Sequence, residues 1–362
     1  MRRFLALALA LCLAACAPTL QRAGQPDLTF TGPLLESEDF ISFDGARLGL
    51  TRWEAKGEPW AVIIGVHGMN DYANAFHLAG RYWAGQGITT LAYDQRGFGR
   101  SPERGIWAPD AIRTEDLRTI TALARRAHPH AIIAVAGESL GGAVAIEAFA
   151  SDRPPPADRL ILLAPAVWGW STQPLAFKSL LWLAARAAPG KVFTPPAWLV
   201  RKVSPTDNRA ELFIMSYDPK MVWGARSDAL YGLVTTMDHA WRDVGELRVP
   251  TFYLYGANDQ IIPRNATDTA VPRLPPGDRT ACYARGHHLL LRDEQALDVW
   301  RDAEAFIRDP AAPPPSGAPP LPCPRIPGPQ AARTSKPRRR AAPIRALSAD
   351  ARGPFDRRAS SR

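Results

Sequence analysis

The chain has 362 residues, with 44 Lys or Arg against 35 Asp or Glu, and its formal net charge is +9. The whole excess lies in residues 310–362, which hold eleven basic and two acidic residues, so the rest of the chain is neutral. A neutral body argues against nucleic acid as a partner. Residues 28–309 are enough for one large α/β domain that carries an insertion.

The first fifteen residues have the pattern of a bacterial signal peptide. A basic start precedes ten apolar residues, 4–13, a run too short to span a bilayer as a helix, and small residues then lead to Cys16. This pattern resembles the lipobox of bacterial lipoproteins. The resemblance implies cleavage before Cys16, acylation of that residue, a tether over residues 16–27, and, with Ala17 next, an outer-membrane location facing the periplasm. The alternative is an ordinary secretory signal with an incidental cysteine.

Two further features concern the exported chain. Cys282 and Cys323 could form a disulfide in an oxidising periplasm, but Cys282 lies in a predicted core strand, which favours two unpaired thiols. Residues 310–362 hold 13 of the 35 prolines besides their basic residues, and we predict that they are disordered. This tail could contact anionic lipid or remain without a partner. The cysteine and histidine spacings predict no metal site, and no cofactor is expected.

Between the two ends, apolar runs of strand length alternate with helical patterns. The predicted strands comprise residues 39–43, 47–53, 60–66, 88–93, 131–136, 159–164, 251–255 and 280–283. The predicted helices comprise residues 73–84, 111–127, 143–149, 174–188 and 293–307. Asp44-Gly45 predicts a hairpin turn between the first two strands, and Asp110 is the predicted N-cap of the second helix. The alternation predicts an α/β fold with a mainly parallel, doubly wound sheet flanked by helices.

Residues 137–141 read Gly-Glu-Ser-Leu-Gly and fall between a predicted strand and a predicted helix. In that context Gly-x-Ser-x-Gly is the nucleophile elbow, a turn so tight that its glycines leave no room for a Cβ. The turn lifts the Ser139 hydroxyl clear of the sheet and directs the Leu140 N–H toward a developing oxyanion. The alternative is a Gly-rich turn that carries a solvated serine.

The alternation of strands and helices stops at residues 166–245, which separate a first part of the core, 28–165, from a second, 246–309. This stretch holds six of the eleven tryptophans, and its helix 174–188 has almost no polar face. We expect a helical cap over the active site, with Trp and Leu side chains lining an acyl-binding pocket. Alternatively, these aromatic residues only attach the cap to the core.

A serine nucleophile needs a base and a carboxylate that orients the base. In elbow-containing folds these follow the serine in the order Asp or Glu, then His. Asp259 comes just after strand 251–255, and His287 and His288 come after strand 280–283, at strand ends where ligand-facing residues collect. Asp259 is therefore the candidate orienting carboxylate, and the residues alone leave His287 and His288 as alternative bases.

Five motifs together carry a family resemblance, and they span nearly all of residues 28–309. They are His67-Gly68-Met69 and residues 94–101, 137–141, 256–263 and 288–293. The chain resembles serine hydrolases of the α/β-hydrolase superfamily, and within it the monoacylglycerol lipase and lysophospholipase group, which is also called serine aminopeptidase-like. It departs from that group at Asn70 and Asp71, where a second glycine and a histidine or glutamate are usual.

The resemblance implies an α/β-hydrolase fold and selects His288 over His287 as the base. It implies a catalytic triad of Ser139, His288 and Asp259, with the backbone N–H groups of Met69 and Leu140 as oxyanion donors, and gives the Arg96 loop a structural role. The expected reaction is hydrolysis of a lipid-like carboxylic ester, such as a monoacylglycerol or a lysophospholipid, through an acyl-enzyme. Two alternatives are a peptidase or amidase that acts on envelope material, and a membrane-tethered binding protein without activity.

Overall fold

The computed structural model describes residues 18–170, 173–196, 198 and 202–324. The predicted signal peptide, the predicted lipidation site Cys16 and residues 325–362 of the predicted tail lie outside the described residues. None of the helices in the described ranges is long and apolar enough to span a bilayer.

The described residues form one mixed sheet of nine strands and a separate two-stranded sheet. The strands are β1 (Leu34–Leu35), β2 (Asp39–Ile41), β3 (Arg47–Trp53), β4 (Ala61–Val66), β5 (Ile88–Tyr93), β6 (Ile132–Glu138), β7 (Arg159–Leu163), β8 (Val192–Phe193), β9 (Ala225–Arg226), β10 (Thr251–Gly256) and β11 (Arg279–Tyr283). The order in the large sheet is β1-β2-β3-β5-β4-β6-β7-β10-β11. The six strands from β5 to β11 are parallel, and β1 to β3 are antiparallel. The prediction of a mainly parallel sheet flanked by helices is therefore confirmed.

The helices pack on both faces of the large sheet, and three of them lie in the insertion between β7 and β10. They are α1 (His77–Gly85), α2 (Asp110–Ala127), α3 (Leu140–Ala150), α4 (Leu175–Ala187), α5 (Arg209–Tyr217), α6 (Ser227–Asp243), α7 (Arg264–Ala270) and α8 (Ala296–Arg308). Short 3-10 turns cover Ala73–Phe76, Val244–Glu246 and Val271–Arg273. Helices α4, α5 and α6 and the small β8–β9 sheet make up the stretch that we call the cap.

The central strands are buried on both faces, which explains why they read as continuous apolar runs. Along β4 the side chains alternate between two core clusters. Val62 and Ile64 belong to the cluster that includes residues of α2 and α3, whereas Ile63 belongs to the cluster with Trp83 of α1 and Phe306 of α8. This arrangement puts the carboxyl ends of β4, β6, β10 and β11 at one edge of the core.

Two local predictions need correction. The predicted helix over residues 73–84 is divided into the Ala73–Phe76 3-10 turn and α1. Asp110 is not the N-cap of α2, because Pro109 holds that position and Asp110 is already in the first turn. Its carboxylate instead accepts hydrogen bonds from Thr236 and, at 3.1 Å, from His239 Nδ1, both on cap helix α6.

The expectation of two unpaired thiols is wrong, because Cys282 and Cys323 form a disulfide. Cys282 lies on β11, the last strand of the sheet, and the Pro-rich segment after α8 folds back along this edge. The Cys282 N–H donates to Pro319 O at 2.8 Å, and the Leu321 N–H donates to Thr280 Oγ1 at 2.9 Å. The disorder predicted from residue 310 is therefore wrong as far as residue 324, since these residues cover an edge strand that would otherwise expose its backbone.

The described part of the predicted tether lies against the body. Gln21 is buried, its N–H donates to Trp107 O at 2.9 Å, and its amide donates to Ile106 O at 2.9 Å. The Gly24 N–H donates to Asp44 Oδ2 at 2.5 Å. We call residues 19–24 the strap, because backbone and side-chain hydrogen bonds fix them to the loop before α2 and to the β2–β3 hairpin.

Candidate active site

The predicted nucleophile lies in a strained turn between β6 and α3. Ser139 has φ +52° and ψ −115°, a backbone conformation of the kind that costs about 1–3 kcal/mol. A Cβ added to Gly141 would lie 2.0 Å from Val66 O, and one added to Gly137 would lie 2.6 Å from Gly141 O. The two glycines therefore allow the turn, and it leaves the Ser139 side chain at the carboxyl edge of the sheet.

Asp259 and His288 meet at the same edge. His288 Nδ1 lies 2.8 Å from Asp259 Oδ2, and both side chains are buried. Asp259 Oδ1 accepts the backbone N–H groups of Ile261 at 2.7 Å and Ile262 at 2.9 Å, so the turn after β10 fixes the carboxylate. Because Nδ1–H donates to Asp259, this arrangement assigns the free lone pair of His288 to Nε2.

The charge of Asp259 also tunes the imidazole. Burial lowers the pKa of His288, but the charge and hydrogen bond of Asp259 more than offset this effect, so that the pKa lies above its usual value. The Glu138 carboxylate, directly before Ser139 in the chain, raises this pKa further. Among the described residues no hydrogen bond joins Ser139 Oγ to the His288 ring. Such bonds often form only when substrate is bound.

The geometry separates the two histidines that the residue pattern alone could not. His287 faces Asp293, with Nδ1 3.6 Å from Oδ1, and its backbone N–H donates to Asp293 Oδ2 at 2.6 Å. His288, in contrast, contacts Asp259. The candidate orienting carboxylate, Asp259, therefore contacts His288, which is the histidine that the family resemblance selects.

The two predicted oxyanion donors lie on either side of Ser139. Leu140 is the first residue of α3, where N–H groups have no acceptor within the helix. Met69 follows Gly68, at which an added Cβ would lie 3.2 Å from the Ser139 Cβ, so the loop after β4 approaches the elbow closely. The Leu140 backbone thus lies at the start of α3, directly after Ser139, and the Met69 backbone lies on the loop that approaches the elbow.

A buried histidine holds the Met69 loop in place, and the sequence argument did not give it this role. His67 Nε2 accepts the Gln95 N–H at 2.8 Å, and its Nδ1 donates to Gly68 O at 2.8 Å. Gln95 Nε2 also donates to His67 O at 2.6 Å. Burial lowers the pKa of His67, so the ring is neutral and serves as a link between β4 and β5.

This geometry can be compared with known proteins. The family model described as "Serine aminopeptidase, S33" matches residues 57–295, about two thirds of the chain. The chain belongs to the serine aminopeptidase S33 family. The prediction of an α/β-hydrolase of this group is confirmed.

Individual relatives of this S33-family chain carry lipase names. It is 24% identical over 284 residues to a monoacylglycerol lipase of Mycolicibacterium smegmatis, a match that covers 74% of this chain and 95% of the relative. It is 22% identical over 268 residues to a monoglyceride lipase of Rattus norvegicus, covering 72% of this chain and 86% of the relative. Both matches extend over most of the relative's length.

Solved structures show the same fold. A monoglyceride lipase from Saccharomyces cerevisiae, solved with a substrate analogue, has a TM-score of 0.63 and 17% identity, covering 81% of this chain and all of the other. A monoacylglycerol lipase from Paleococcus ferrophilus has a TM-score of 0.58 and 20% identity, covering 72% of this chain and 98% of the other. These structures support an α/β-hydrolase architecture for this S33-family member.

The S33-family chain also has a buried ion network beside the site that sequence reasoning missed. Arg292 is buried, and its Nη2 lies 2.6 Å from Asp71 Oδ2 and 3.1 Å from Glu138 Oε2. Burial lowers the pKa of Arg292, but the Asp71 and Glu138 carboxylates raise it by more, so the net change is an increase. Glu138 and Arg292 stood inside recognised motifs, but nothing in their spacing indicated that they would meet.

Two groups of side chains have the composition of a metal site. The potential ligand atoms of Asp110, Glu147 and His239 lie within 4.8 Å of one another, as do those of a second group, which comprises Asp207, His287 and Asp293. The first group lies between α2, α3 and α6, and burial raises the pKa of Glu147 to about 9. In the second group Asp293 already accepts backbone N–H groups of residues 207 and 287, so we assign no cofactor to either group.

Proposed function

We propose that the chain hydrolyses carboxylic esters of lipids, such as a monoacylglycerol or a lysophospholipid, with Ser139 as nucleophile, His288 as base and Asp259 as orienting carboxylate. The observation that carries this proposal is the 2.8 Å contact between His288 Nδ1 and Asp259 Oδ2 at the sheet edge that bears the Ser139 elbow. The lipase names of the relatives support the same substrate class.

The proposed reaction has two halves. His288 Nε2 takes the proton of Ser139 as Oγ bonds to the ester carbonyl carbon, and the N–H groups of Met69 and Leu140 stabilise the oxyanion. Each such donor contributes about 2.7–4 kcal/mol. The C–O bond then breaks, and His288 gives its proton to the leaving alcohol. In the second half, water loses a proton to His288 as its oxygen bonds to the acyl carbon. The bond from that carbon to Ser139 Oγ then breaks, His288 returns the proton to Oγ, and the acid leaves.

We assign the acyl chain of the substrate to the cap. An open groove of about 610 Å³ lies between α4 and α6, and its walls are mainly aromatic and aliphatic. They include Trp170, Trp182, Leu183 and Tyr231, with Lys178 also present. The volume is in the range of small-molecule sites, and the lining suits a hydrocarbon chain better than a peptide.

We further propose that the mature chain begins at an acylated Cys16 and is held at the outer membrane, facing the periplasm. The Cys282–Cys323 disulfide supports export, because disulfides persist in oxidising compartments. The basic residues of the tail would add attraction to anionic lipid.

The catalytic assignment can be tested with a fluorophosphonate probe, which labels an activated serine. We expect labelling of the wild type and of Ser216→Ala, an exposed serine on α5, but none of Ser139→Ala. Turnover should then be measured on monoacylglycerol, lysophospholipid and p-nitrophenyl esters of graded chain length, beside a peptide p-nitroanilide. Labelling of the folded Ser139→Ala variant would contradict the nucleophile, and faster turnover of the anilide would contradict the ester substrate.

A further inference from the structure

The strap leads from the core to the cap. Three hydrogen bonds mark its course toward the N-terminus. Gly24 is hydrogen-bonded to Asp44, Gln21 to Trp107, and Thr19 to the cap itself. The Thr19 N–H donates to Asp228 Oδ2 at 3.2 Å. Asp228 is in the first turn of α6, and its carboxylate is also paired with Arg226 of β9 at 2.7 Å. Thr19, which lies near the start of the described residues, is therefore beside the β8–β9 sheet.

Only a short stretch of chain separates the strap from Cys16. Cys16 precedes Thr19 by three residues, and three residues span at most about 10 Å when fully extended. The Cα of Cys16, which would carry the acyl chains, thus lies within about 10 Å of that of Thr19. Since the strap is fixed to core and cap alike, the body cannot move far from that point.

An exposed apolar surface lies at the same place. Val192 and Phe193 of β8 are 56% and 45% exposed, and Trp223, two residues before β9, is 52% exposed. The backbone of Gly224 packs on Val192, which brings Trp223 next to the β8–β9 sheet. We call Val192, Phe193 and Trp223 the β8–β9 patch. Lys191 is exposed directly beside it, so the patch has a positive charge at its rim.

The segment just before the patch contacts the loop that follows the proposed oxyanion donor. The Val222 N–H donates to Asn70 O at 3.0 Å, and Asn70 follows the proposed oxyanion donor Met69. Nearby, the Tyr72 hydroxyl donates to Asp218 at 2.6 Å. The segment that carries Trp223 is therefore fastened to the loop that borders Ser139.

We propose that the β8–β9 patch inserts into the headgroup region of the bilayer that holds the acylated Cys16, so that the site opens toward that membrane. Half-exposed Trp and Phe side chains suit this interface, and Lys191 suits anionic lipid phosphates. The proposal rests on the lipidation of Cys16 put forward above. It gives the enzyme a fixed orientation, in which a lipid ester can pass from the membrane to Ser139 without crossing water.

Quenching of tryptophan fluorescence tests this placement. The full-length lipidated protein is reconstituted in vesicles of phosphatidylethanolamine and phosphatidylglycerol at a 3:1 ratio, with and without bromine at carbons 6 and 7 of the acyl chains. We expect brominated lipid to reduce the emission of the wild type by more than that of Trp223→Phe. The difference between the two losses, expressed per mole of protein, should correspond to the quenching of one tryptophan.

Trp60→Phe is the matched control, because Trp60 precedes β4 at the opposite end of that strand from the site. It should lose the same intensity per mole as the wild type. Equal losses in wild type and Trp223→Phe, in protein whose intact mass shows acylated Cys16, would overturn the proposed insertion alone. A mass without acyl chains would overturn both the lipidation and the insertion, and would leave the catalytic proposal untouched.

Discussion

The Arg292 guanidinium lies 2.6 Å from the Asp71 carboxylate, although the two residues are 221 positions apart in the chain. The same nitrogen lies 3.1 Å from Glu138, the residue before Ser139. One buried cation thus joins three segments: the loop of the proposed base, the loop of the proposed oxyanion donor Met69, and the end of β6 directly before the proposed nucleophile. The alignment of these segments therefore depends on a side chain that does not itself need to touch substrate.

Replacing Arg292 by methionine should destabilise the protein by about 3–5 kcal/mol, because Asp71 and Glu138 would remain buried without their cation. Urea unfolding measures this loss. Arg153→Met is the matched control, since Arg153 is 73% exposed on the side chain and its ion pair with Glu115 is at the surface. That change should cost no more than about 1 kcal/mol. Similar losses for both variants would show that Arg292 is not a structural centre.

Replacing Asp259 by asparagine should lower kcat by roughly 10⁴-fold, because the amide cannot hold the Nδ1–H tautomer of His288 or stabilise its charged form. Circular dichroism should show an unchanged fold. Asp268→Asn on helix α7, with a partly exposed carboxylate paired to Arg264, is the control and should keep full activity. A loss below tenfold for Asp259→Asn would rule out this carboxylate as the orienting group.

The pH dependence of kcat/KM should report His288. Because the base must be neutral and its pKa is raised, activity should rise with pH through a value above the usual 6.5 or so of histidine. In Asp259→Asn the residual activity should show the same rise at a lower pH. The effect of this histidine on stability changes in the opposite direction with pH. The raised pKa of His288 adds stability that is complete below the pKa of that histidine in the unfolded chain, and this stability is lost as pH rises through its pKa in the folded protein.

Reduction of the Cys282–Cys323 disulfide should destabilise the protein by about 2–4 kcal/mol, since the bridge closes a loop with a sequence separation of 41. Thermal unfolding with and without dithiothreitol measures the difference. The Cys282→Ser, Cys323→Ser double variant should unfold at the lower temperature under both conditions. If dithiothreitol also lowers the unfolding temperature of that variant, the effect does not come from the bridge.

Filling the cap groove should change chain-length preference. Leu183→Trp reduces the space between α4 and α6, so kcat/KM should fall for long-chain esters and stay within about twofold for acetate and butyrate esters. Leu297→Trp, at an exposed position on α8, is the control and should leave the preference unchanged. An equal fall for all chain lengths would place the acyl chain elsewhere.

The sequence was informative where physical patterns are local. The apolar runs of β4 and β5 predicted strands within a residue of their bounds, and the two glycines around Ser139 predicted a turn that only they permit. The choice of His288 needed the family resemblance, because two adjacent histidines have the same local pattern. The contact with Asp259 depends on how β10 and β11 pair, and the residues alone do not contain that register.

Other features depended on contacts between distant parts of the chain. A Pro-rich stretch looks unable to order itself, yet residues 319–321 find backbone and side-chain partners along β11. Cys282 looked like a core residue and is one, but the edge position of its strand lets Cys323 reach it. Likewise, Arg292 could be located in a motif without any sign that its partners would be Asp71 and Glu138.

The bridge between Cys282 and Cys323 makes a covalent ring of the chain segment that contains His288, Arg292 and helix α8. A protease that cuts one exposed bond within that ring would open it without releasing a fragment. The imidazole and the guanidinium would stay covalently joined to β11, either along the chain from Cys282 or through the disulfide at Cys323. One cut in this segment would therefore leave the proposed base covalently joined to the rest of the enzyme.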